Sequence, residues 1–272
     1  MHNTVRPKSL NHETLAPYRN LRQGPRPGGR FIVEGEHLVR RLLASGFAVE
    51  SVLVSEKRAG RIRPLVPEAV PLHVLPEAAI ERLVGFSFHR GVLACGIRGK
   101  GATLDDVLQR AGERALLVVC PRIGDAENLG AIVRSAAAFG ADALLLGPQG
   151  ADPFGRRAIR VSMGAAFSLP IVQSADMAAE IRRLLQWGAS LYAAVLDNDA
   201  TPLPSVAPAA KSALLFGEEA EGLAPEWLAF GPQKVRIPMS DGVDSLNVAA
   251  AAAVFLYHFS QCRGEGPAQA NR

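Results

Sequence analysis

The chain has 272 residues, of which 48% are hydrophobic and 21% charged, a composition typical of a globular protein with a sizeable core. The longest apolar run, 248–257, is too short to cross a bilayer, which takes about 20 residues, and the start of the chain lacks the apolar segment of a secretory signal. The sequence therefore predicts no membrane-spanning helix at 248–257 and a cytoplasmic protein. The net charge of +4 is unevenly placed, because residues 1–30 carry +5 and the remainder −1. A basic segment on a near-neutral body predicts a polyanionic partner, the alternative being a solubilising tail.

Metal and disulfide chemistry find no support in the sequence. The three cysteines, Cys95, Cys120 and Cys262, form no CxxC pair, and the six histidines are scattered without ligand spacing. We therefore expect no metal site and expect each cysteine to be a small core residue. A Walker-type loop and a GxGxxG motif are also missing from the sequence, which disfavours NTPases and Rossmann dinucleotide enzymes.

The first third of the chain predicts a basic arm followed by a small α/β domain. The arm covers residues 1–30 and the domain residues 31–98. Strands are predicted at 31–33, 49–54, 70–74 and 92–97, and helices at 37–45 and 77–84. Thr103 and Asp106 resemble a capping box, so a second domain is predicted from 103 to 263, with a flexible tail at 264–272.

The centre of the second domain is a strand, a polar loop, a helix and a second strand. The apolar run 116–120 precedes a helical pattern with Asn128 at the position of the N-cap, and Gly140 follows the last periodic residue before the strand 143–146. Arg134 leaves the apolar stripe of this helix. Such a corner is suited to an anion, although an ordinary βαβ crossover with a solvated arginine fits the pattern equally well.

The rest of the chain alternates short strands with helices. Strands are predicted at 167–172, 191–195, 213–216 and 235–237, helices at 175–187, 225–229 and 246–260, and a loop at 198–208. This alternation predicts a mainly parallel sheet with helices on both faces, hence an α/β fold. The last helix is apolar nearly all round, so we expect it to be buried in the core or against a second subunit.

Two further stretches follow predicted strands. Residues 217–222 combine two glycines with three acids, which suits an adenosine with a cationic group better than a phosphate; the alternative is an acidic turn before a helix. In the second stretch Pro238 ends a strand, and Ser245 or Asn247 caps the last helix, a role that requires no further function.

Taken in order, the stretches 128–134, 217–223 and 237–248 resemble the three motifs of the SpoU-type ribose 2′-O-methyltransferases of the SPOUT superfamily. The resemblance covers residues 116–260, and residues 31–97 are more weakly similar to the substrate-binding domain that many of these enzymes carry. Ala126, Glu218 and Arg90 depart from the residues usual in the family. The first two affect the shape of loops, and the third affects the identity of the substrate.

The resemblance implies S-adenosylmethionine as methyl donor, a trefoil knot that holds it, and a homodimer whose site draws on both subunits. It assigns catalytic or site-forming roles to Asn128, Arg134, Glu219, Ser245 and Asn247. It assigns contacts with the cofactor to Gly217, Glu219, Ile237, Met239 and Leu246. An arginine is a reluctant base, so Arg134 is better suited to binding a phosphate or stabilising a developing alkoxide.

The function predicted from the sequence is 2′-O-ribose methylation of RNA, with ribosomal RNA favoured because an extra domain and a basic arm precede the catalytic domain. The alternatives are a transfer-RNA methyltransferase and a non-catalytic RNA-binding protein on the same fold. Loss of Asn128, Arg134, Glu219 or Asn247 would favour the non-catalytic protein, and all four are present. A Rossmann-type methyltransferase is disfavoured by the missing glycine-rich loop.

Overall fold

The structure, a computed structural model, describes residues 3–7, 9–22, 28–219, 221–240, 242 and 244–261. The predictions for Cys262 and the tail 264–272 lie outside these residues. The strands are β1 (Thr4–Val5), β2 (Arg30–Glu34), β3 (Ala48–Ser55), β4 (Leu72–Leu75), β5 (Val92–Ile97), β6 (Ala115–Cys120), β7 (Ala143–Leu146), β8 (Ile171–Gln173), β9 (Ser190–Ala194), β10 (Thr201–Pro202), β11 (Lys211–Leu215) and β12 (Gln233–Arg236). The α-helices are α1 (Glu36–Leu43), α2 (Glu56–Ile62), α3 (Glu77–Val84), α4 (Leu104–Arg110), α5 (Ala126–Ala138), α6 (Arg156–Val161), α7 (Met177–Gln186), α8 (Pro225–Leu228) and α9 (Val248–Gln261).

The chain divides into two compact units. The first consists of Met1–Lys100 together with Phe154–Ser168, and the second of Gly101–Pro153 together with Leu169–Arg272. The backbone therefore passes between the units three times.

The first unit contains a five-stranded mixed sheet in the order β1-β4-β3-β5-β2. The strands β1, β4 and β3 are parallel, whereas β5 is antiparallel to both β3 and β2. Residues Val52 and Val54 point to one buried face and Leu53 to the other, so two apolar clusters form, one on each side of the sheet. This division follows from the two-residue period of a strand.

Part of the basic amino-terminal segment packs in this core. Residues Glu13–Tyr18 form a 3₁₀ helix, and Leu15 and Tyr18 are fully buried. The Tyr18 hydroxyl donates to the Ser51 carbonyl at 2.9 Å. Burial raises the pKa of Tyr18 well above its usual value, so the phenol stays protonated.

The segment 154–168 joins the first unit through aromatic packing. The Phe31 ring lies 5.3 Å from the ring of Phe154 and 6.0 Å from that of Phe167, and Phe47 completes the cluster. The predicted strand at 167–172 is thus shorter than expected, because residues 165–167 form a 3₁₀ turn that covers this cluster and only 171–173 pair with a neighbouring strand.

The second unit contains a seven-stranded sheet in the order β10-β12-β9-β11-β6-β7-β8, parallel throughout. Every residue of β6 and β7 is buried, as expected for a parallel sheet covered on both faces. The predicted α/β fold with a parallel sheet is confirmed. The buried side chains Leu117 and Val119 each contribute about 1.5–3 kcal/mol to stability.

The central helix α5 follows the predicted apolar stripe, but its cap differs. Leu129, Ile132 and Val133 are buried, and Gly140 adopts φ +71° just past the carboxyl end. The N-cap is Asp125, whose Oδ1 accepts from the backbone N–H groups of residues 127 and 128, both at 2.8 Å. The prediction of Asn128 as N-cap was therefore wrong, since Asn128 lies inside the first turn.

The last helix, α9, is buried along one face only. Ala252, Phe255 and Phe259 lie in the interior, whereas Val254 is 41% and Tyr257 57% exposed. Within the described part of the chain no helix is long and apolar enough to cross a membrane, and no group of three or more potential ligands is placed to hold a metal. Cys95 and Cys120 are buried, as expected for small core residues.

Candidate functional site

The candidate site lies in the second unit, at the edge of the sheet where the parallel strands end. In a parallel sheet the carboxyl ends of neighbouring strands meet at one edge, which is where ligands of open α/β proteins bind. The stretches after β6, β11 and β12 contain the three sequence motifs.

The loop after β11 is closed by its own backbone. Glu218 and Gly222 exchange two hydrogen bonds, of 3.1 and 2.8 Å, which form a narrow turn. A Cβ on Gly217 would lie 2.0 Å from the Gly222 carbonyl oxygen. Glycine is therefore required at position 217 by the approach of two backbone segments, a reason independent of any ligand.

Three side chains from the three motifs form one hydrogen-bonded network. Asn128 Nδ2 donates to Glu219 Oε2 at 2.9 Å, and Asn247 Nδ2 lies 2.9 Å from Asn128 Oδ1 and 3.3 Å from the same Glu219 oxygen. The structure thus brings together residues that lie 91 and 28 positions apart in the chain. Glu219 and Asn247 are exposed and Asn128 is half-buried, so the network is open to a ligand from the side of Glu219 and Asn247.

Helix capping fixes the direction of this network. Asn247 Oδ1 accepts from the backbone N–H of Ala249 at 2.9 Å and caps α9 as predicted, so its Nδ2 must face Asn128. Asn128 then accepts through Oδ1 and donates through Nδ2 to Glu219. Glu219 Oε2 receives both amide donors, and Oε1 accepts no hydrogen bond from the residues that the structure describes.

A cavity of about 350 Å³ adjoins the network. It falls within the range of about 300–1,000 Å³ that is usual for small-ligand sites. Its wall contains all the predicted cofactor contacts together with Ser245, namely Gly217, Glu219, Ile237, Met239, Ser245 and Leu246.

The cavity combines an apolar wall with carboxylates. Glu218 forms an ion pair with Arg122 at 3.1 Å, which offsets one negative charge, whereas Glu219 and Glu221 make no ion pair within the described ranges. The remaining negative charge favours a cation, and a carboxylate beside an apolar slot suits ribose hydroxyls under a flat base. These residues fit S-adenosylmethionine, which carries a sulfonium, an ammonium and an adenosine.

Arg134 lies apart from this network. Its side chain is exposed and makes no hydrogen bond or ion pair with any residue that the structure describes. It stands six residues beyond Asn128, which is about 9 Å along the axis of α5.

Several wall residues had no place in the sequence prediction. The apolar side of the cavity includes Val195 and Leu196 after β9, Phe216 and Leu223 beside the acidic loop, and Ala251 and Phe255 on α9. Val195 and Leu196 could have been predicted as wall residues, because they follow β9, which ends at the same edge of the sheet as β11. The apolar residues of α9 carried no such signal, since helical periodicity does not distinguish a cavity wall from a core.

Comparison with known proteins finds relatives that match most of this chain and that are themselves matched over most of their length. The sequence model of the SpoU rRNA Methylase family matches residues 115–257. An uncharacterized tRNA/rRNA methyltransferase of Mycobacterium tuberculosis (strain ATCC 25618 / H37Rv) is 38% identical over 237 residues, which are 85% of this chain and 81% of that protein. The 23S rRNA (guanosine-2′-O-)-methyltransferase RlmB of Xylella fastidiosa is 31% identical over 82% of this chain and 88% of that protein.

Among solved structures, the AdoMet-bound rRNA methyltransferase from Sinorhizobium meliloti superposes with a TM-score of 0.79 over 96% of this chain and 98% of that chain. The two sequences are 23% identical, so this likeness concerns the fold. Together with the network of Asn128, Glu219 and Asn247, the match over residues 115–257 leads to one conclusion: the chain belongs to the SpoU rRNA methylase family.

Proposed function

We propose that the protein transfers a methyl group from S-adenosylmethionine to a ribose 2′-hydroxyl of RNA, with ribosomal RNA as the substrate. The observation that carries this proposal is the network of Asn128, Glu219 and Asn247, of which Glu219 lies on the wall of the 350 Å³ cavity. Relatives named as 23S rRNA 2′-O-methyltransferases support the choice of RNA and of reaction.

The cavity residues hold the methyl donor. Ile237, Met239 and Leu246 provide the apolar contact for the adenosine, Gly217 provides backbone, and Glu219 provides negative charge. When bound, S-adenosylmethionine supplies an electrophilic methyl group on a sulfonium. The role of the protein is to align this group with the acceptor hydroxyl in a geometry close to that of attack.

The network holds the acceptor. Glu219 Oε2 is occupied by two amides, so Oε1 is the oxygen available to accept a hydrogen bond from the target hydroxyl or from a donor ribose. Asn128 and Asn247 orient the carboxylate because each donates a hydrogen bond to it. Ser245 lies on the same wall and adds a hydroxyl group that both donates and accepts.

Arg134 provides the positive charge for the acceptor side. An arginine stays protonated at neutral pH, so we assign it to the phosphate next to the target ribose or to the developing alkoxide, and not to proton abstraction. Its lack of any partner in the described chain is consistent with a group that binds its ligand only in the complex.

The proposal includes a homodimer and a trefoil knot. The exposed Val254 and Tyr257 on α9 are apolar side chains that a second copy of the chain would cover. A knot is implied by membership of the superfamily. The sheet order supports it at one point, since β12 pairs beside β9 and not beside β11 or β6. We assign the first unit to substrate binding.

The test is methyl transfer in a purified system. The protein is incubated with methyl-labelled S-adenosylmethionine and ribosomal RNA from cells that lack it, and the product is digested to nucleosides. A labelled 2′-O-methylnucleoside is expected with wild type and with Glu113→Gln, an exposed carboxylate away from the site. Glu219→Gln should lose about 10² or more in turnover.

A labelled base in place of a labelled ribose would refute the reaction. Label that enters transfer RNA in a parallel incubation, and does not enter ribosomal RNA, would identify transfer RNA as the substrate. Binding of RNA without transfer by any variant would identify a non-catalytic RNA-binding protein.

A further inference from the structure

A positively charged feature lies in the first unit, and it shares no residue with the methyl-donor cavity. It is a small groove of about 220 Å³, lined by Glu34, Leu38, Arg156, Arg157, Ile159 and Arg160. We refer to it as the α6 groove. Three arginines and one carboxylate give its lining a net charge of +2.

The single carboxylate of the groove is already neutralised. Glu34 is paired with Arg156 at 3.1 Å and lies 3.8 Å from Arg90. Its negative charge therefore does little to reduce the attraction of the other arginines for an anion.

The three arginines divide into one structural residue and two exposed ones. Arg156 donates to the Leu21 carbonyl at 3.0 Å, bonds Glu34, and lies 4.5 Å from the centre of the Phe86 ring. Arg157 and Arg160 are exposed, and the side chain of Arg160 makes no hydrogen bond or ion pair with any described residue. Because both side chains are exposed, their guanidinium groups are accessible to a ligand.

The floor of the groove strengthens the attraction. Leu38 is 4% and Ile159 1% exposed, so apolar side chains lie beneath the charged groups. An apolar floor lowers the local dielectric constant, and an ion pair formed above it is worth more than one in open solvent. Guanidinium groups also match the geometry of phosphate oxygens, to which they donate two parallel hydrogen bonds.

From these contacts we infer that the α6 groove binds a phosphate of the substrate RNA backbone, with Arg157 and Arg160 as the contacting residues. This inference rests on the proposed function, since it takes RNA as the substrate. It assigns a substrate contact to residues 156–160, which fall within the stretch matched by the methylase family but pack in the first unit. Contacts of this kind fix the register of an RNA without reading its sequence.

The test compares pairs of variants with the same change of charge. Arg157→Gln/Arg160→Gln removes the two exposed groups, and Arg110→Gln/Arg182→Gln removes two exposed arginines of the second unit as a control. Affinity for a 23S ribosomal RNA transcript is measured at several salt concentrations with the full-length protein, and the melting temperature of each variant is recorded. Arg157→Lys/Arg160→Lys keeps the charge and serves as a rescue.

Loss of two phosphate contacts should lower the salt slope of the affinity by about 1.4. This corresponds to about 25-fold weaker binding at ~0.1 M salt if the curves meet near 1 M. The lysine pair should restore most of the slope, and the control pair should keep the wild-type slope. Affinity for S-adenosylmethionine should stay unchanged in all variants, because none of these positions lines its cavity.

Equal slopes for the groove pair and the control pair would overturn the inference, as would failure of the wild type to bind the transcript. The inference would also be overturned if Arg157→Gln/Arg160→Gln melted far below wild type and Arg157→Lys/Arg160→Lys did not restore the salt slope. That result would assign these arginines to folding. Binding with the expected slopes but no methyl transfer would refute the proposed reaction while supporting the groove.

Discussion

Asn247 takes part both in the site and in the cap of α9. Replacing one atom of its side chain can therefore test the first role while keeping the second. Its Oδ1 caps α9, while its Nδ2 donates to Asn128 and Glu219. Aspartate is as good an N-cap as asparagine, so Asn247→Asp keeps the cap and replaces only the donor by an acceptor. Asn247→Ser keeps a capping oxygen and adds no charge.

The cost of the aspartate follows from the 3.3 Å separation between the position of Nδ2 and Glu219 Oε2. Two carboxylates at this distance repel by about 1.3 kcal/mol at the dielectric constant of water and about 5 kcal/mol at an effective value of 20. Because both residues are exposed, the lower figure applies. Adding one lost hydrogen bond gives about 2 kcal/mol, or a melting temperature lower by about 4–8 °C.

The repulsion also determines the dependence on pH. One carboxyl of the pair has its pKa raised, and protonation removes the repulsion, so the deficit in stability of Asn247→Asp should shrink as the pH falls from about 8 to about 5. Methyl transfer should be at least about 10² slower than in wild type at the higher pH. Asn247→Ser should melt within a few degrees of wild type at both values.

Calorimetric melting at the two pH values and single-turnover methyl transfer measure these effects. A variant Asn247→Asp that melts and reacts like wild type at pH of about 8 would show that the amide donor has no function and would refute the network. A deficit that is equal at both pH values would attribute the loss to the cap.

Three further changes have expected outcomes. Arg134→Ala should keep the melting temperature within a few degrees and donor affinity intact, since Arg134 has no described partner, yet lose about 10² in turnover in a single-turnover assay. Gly217→Ala should lower both the melting temperature and the calorimetric affinity for S-adenosylmethionine, because the added Cβ would lie 2.0 Å from the Gly222 carbonyl oxygen. Gly222→Ala has open space around its Cβ but φ +66°, so it should lower the free energy of unfolding by only about 1–2 kcal/mol. Burial lowers the pKa of His73, whose Nδ1 has no hydrogen-bond partner among the described residues. Wild-type stability should therefore be lost as the pH falls below about 6.5, and His73→Leu should lack that loss in denaturant melts.

The sequence was informative where the pattern was local. The stripe of Leu129, Ile132 and Val133 predicted α5, because helical periodicity and burial coincide over 13 residues. The cap was misassigned because Asp and Asn are nearly equal as caps and both stand near the start of the helix. The two candidates for the cap differ in a contact that is distant in sequence, because the Asn128 amide donates to Glu219.

Long-range features were beyond the reach of local patterns. The helix α6 has six residues, too few for a clear period, and the place of its segment in the first unit depends on the packing of the preceding Phe154 against Phe31 and Phe47. The site network was predicted only as a resemblance of motifs, because nothing in a strand or helix period encodes a contact across 91 positions.

The three passages of the backbone between units limit how the protein can be divided. A cut in the glycine-containing stretch 99–101 would release a fragment without residues 154–168, and the Phe31 and Phe47 rings would lose the partners Phe154 and Phe167. Such a fragment would expose an aromatic surface and tend to aggregate. The first unit therefore cannot be exchanged by joining two chains at one position. A chimera with another substrate-binding unit must replace residues 1–100 and 154–168 together.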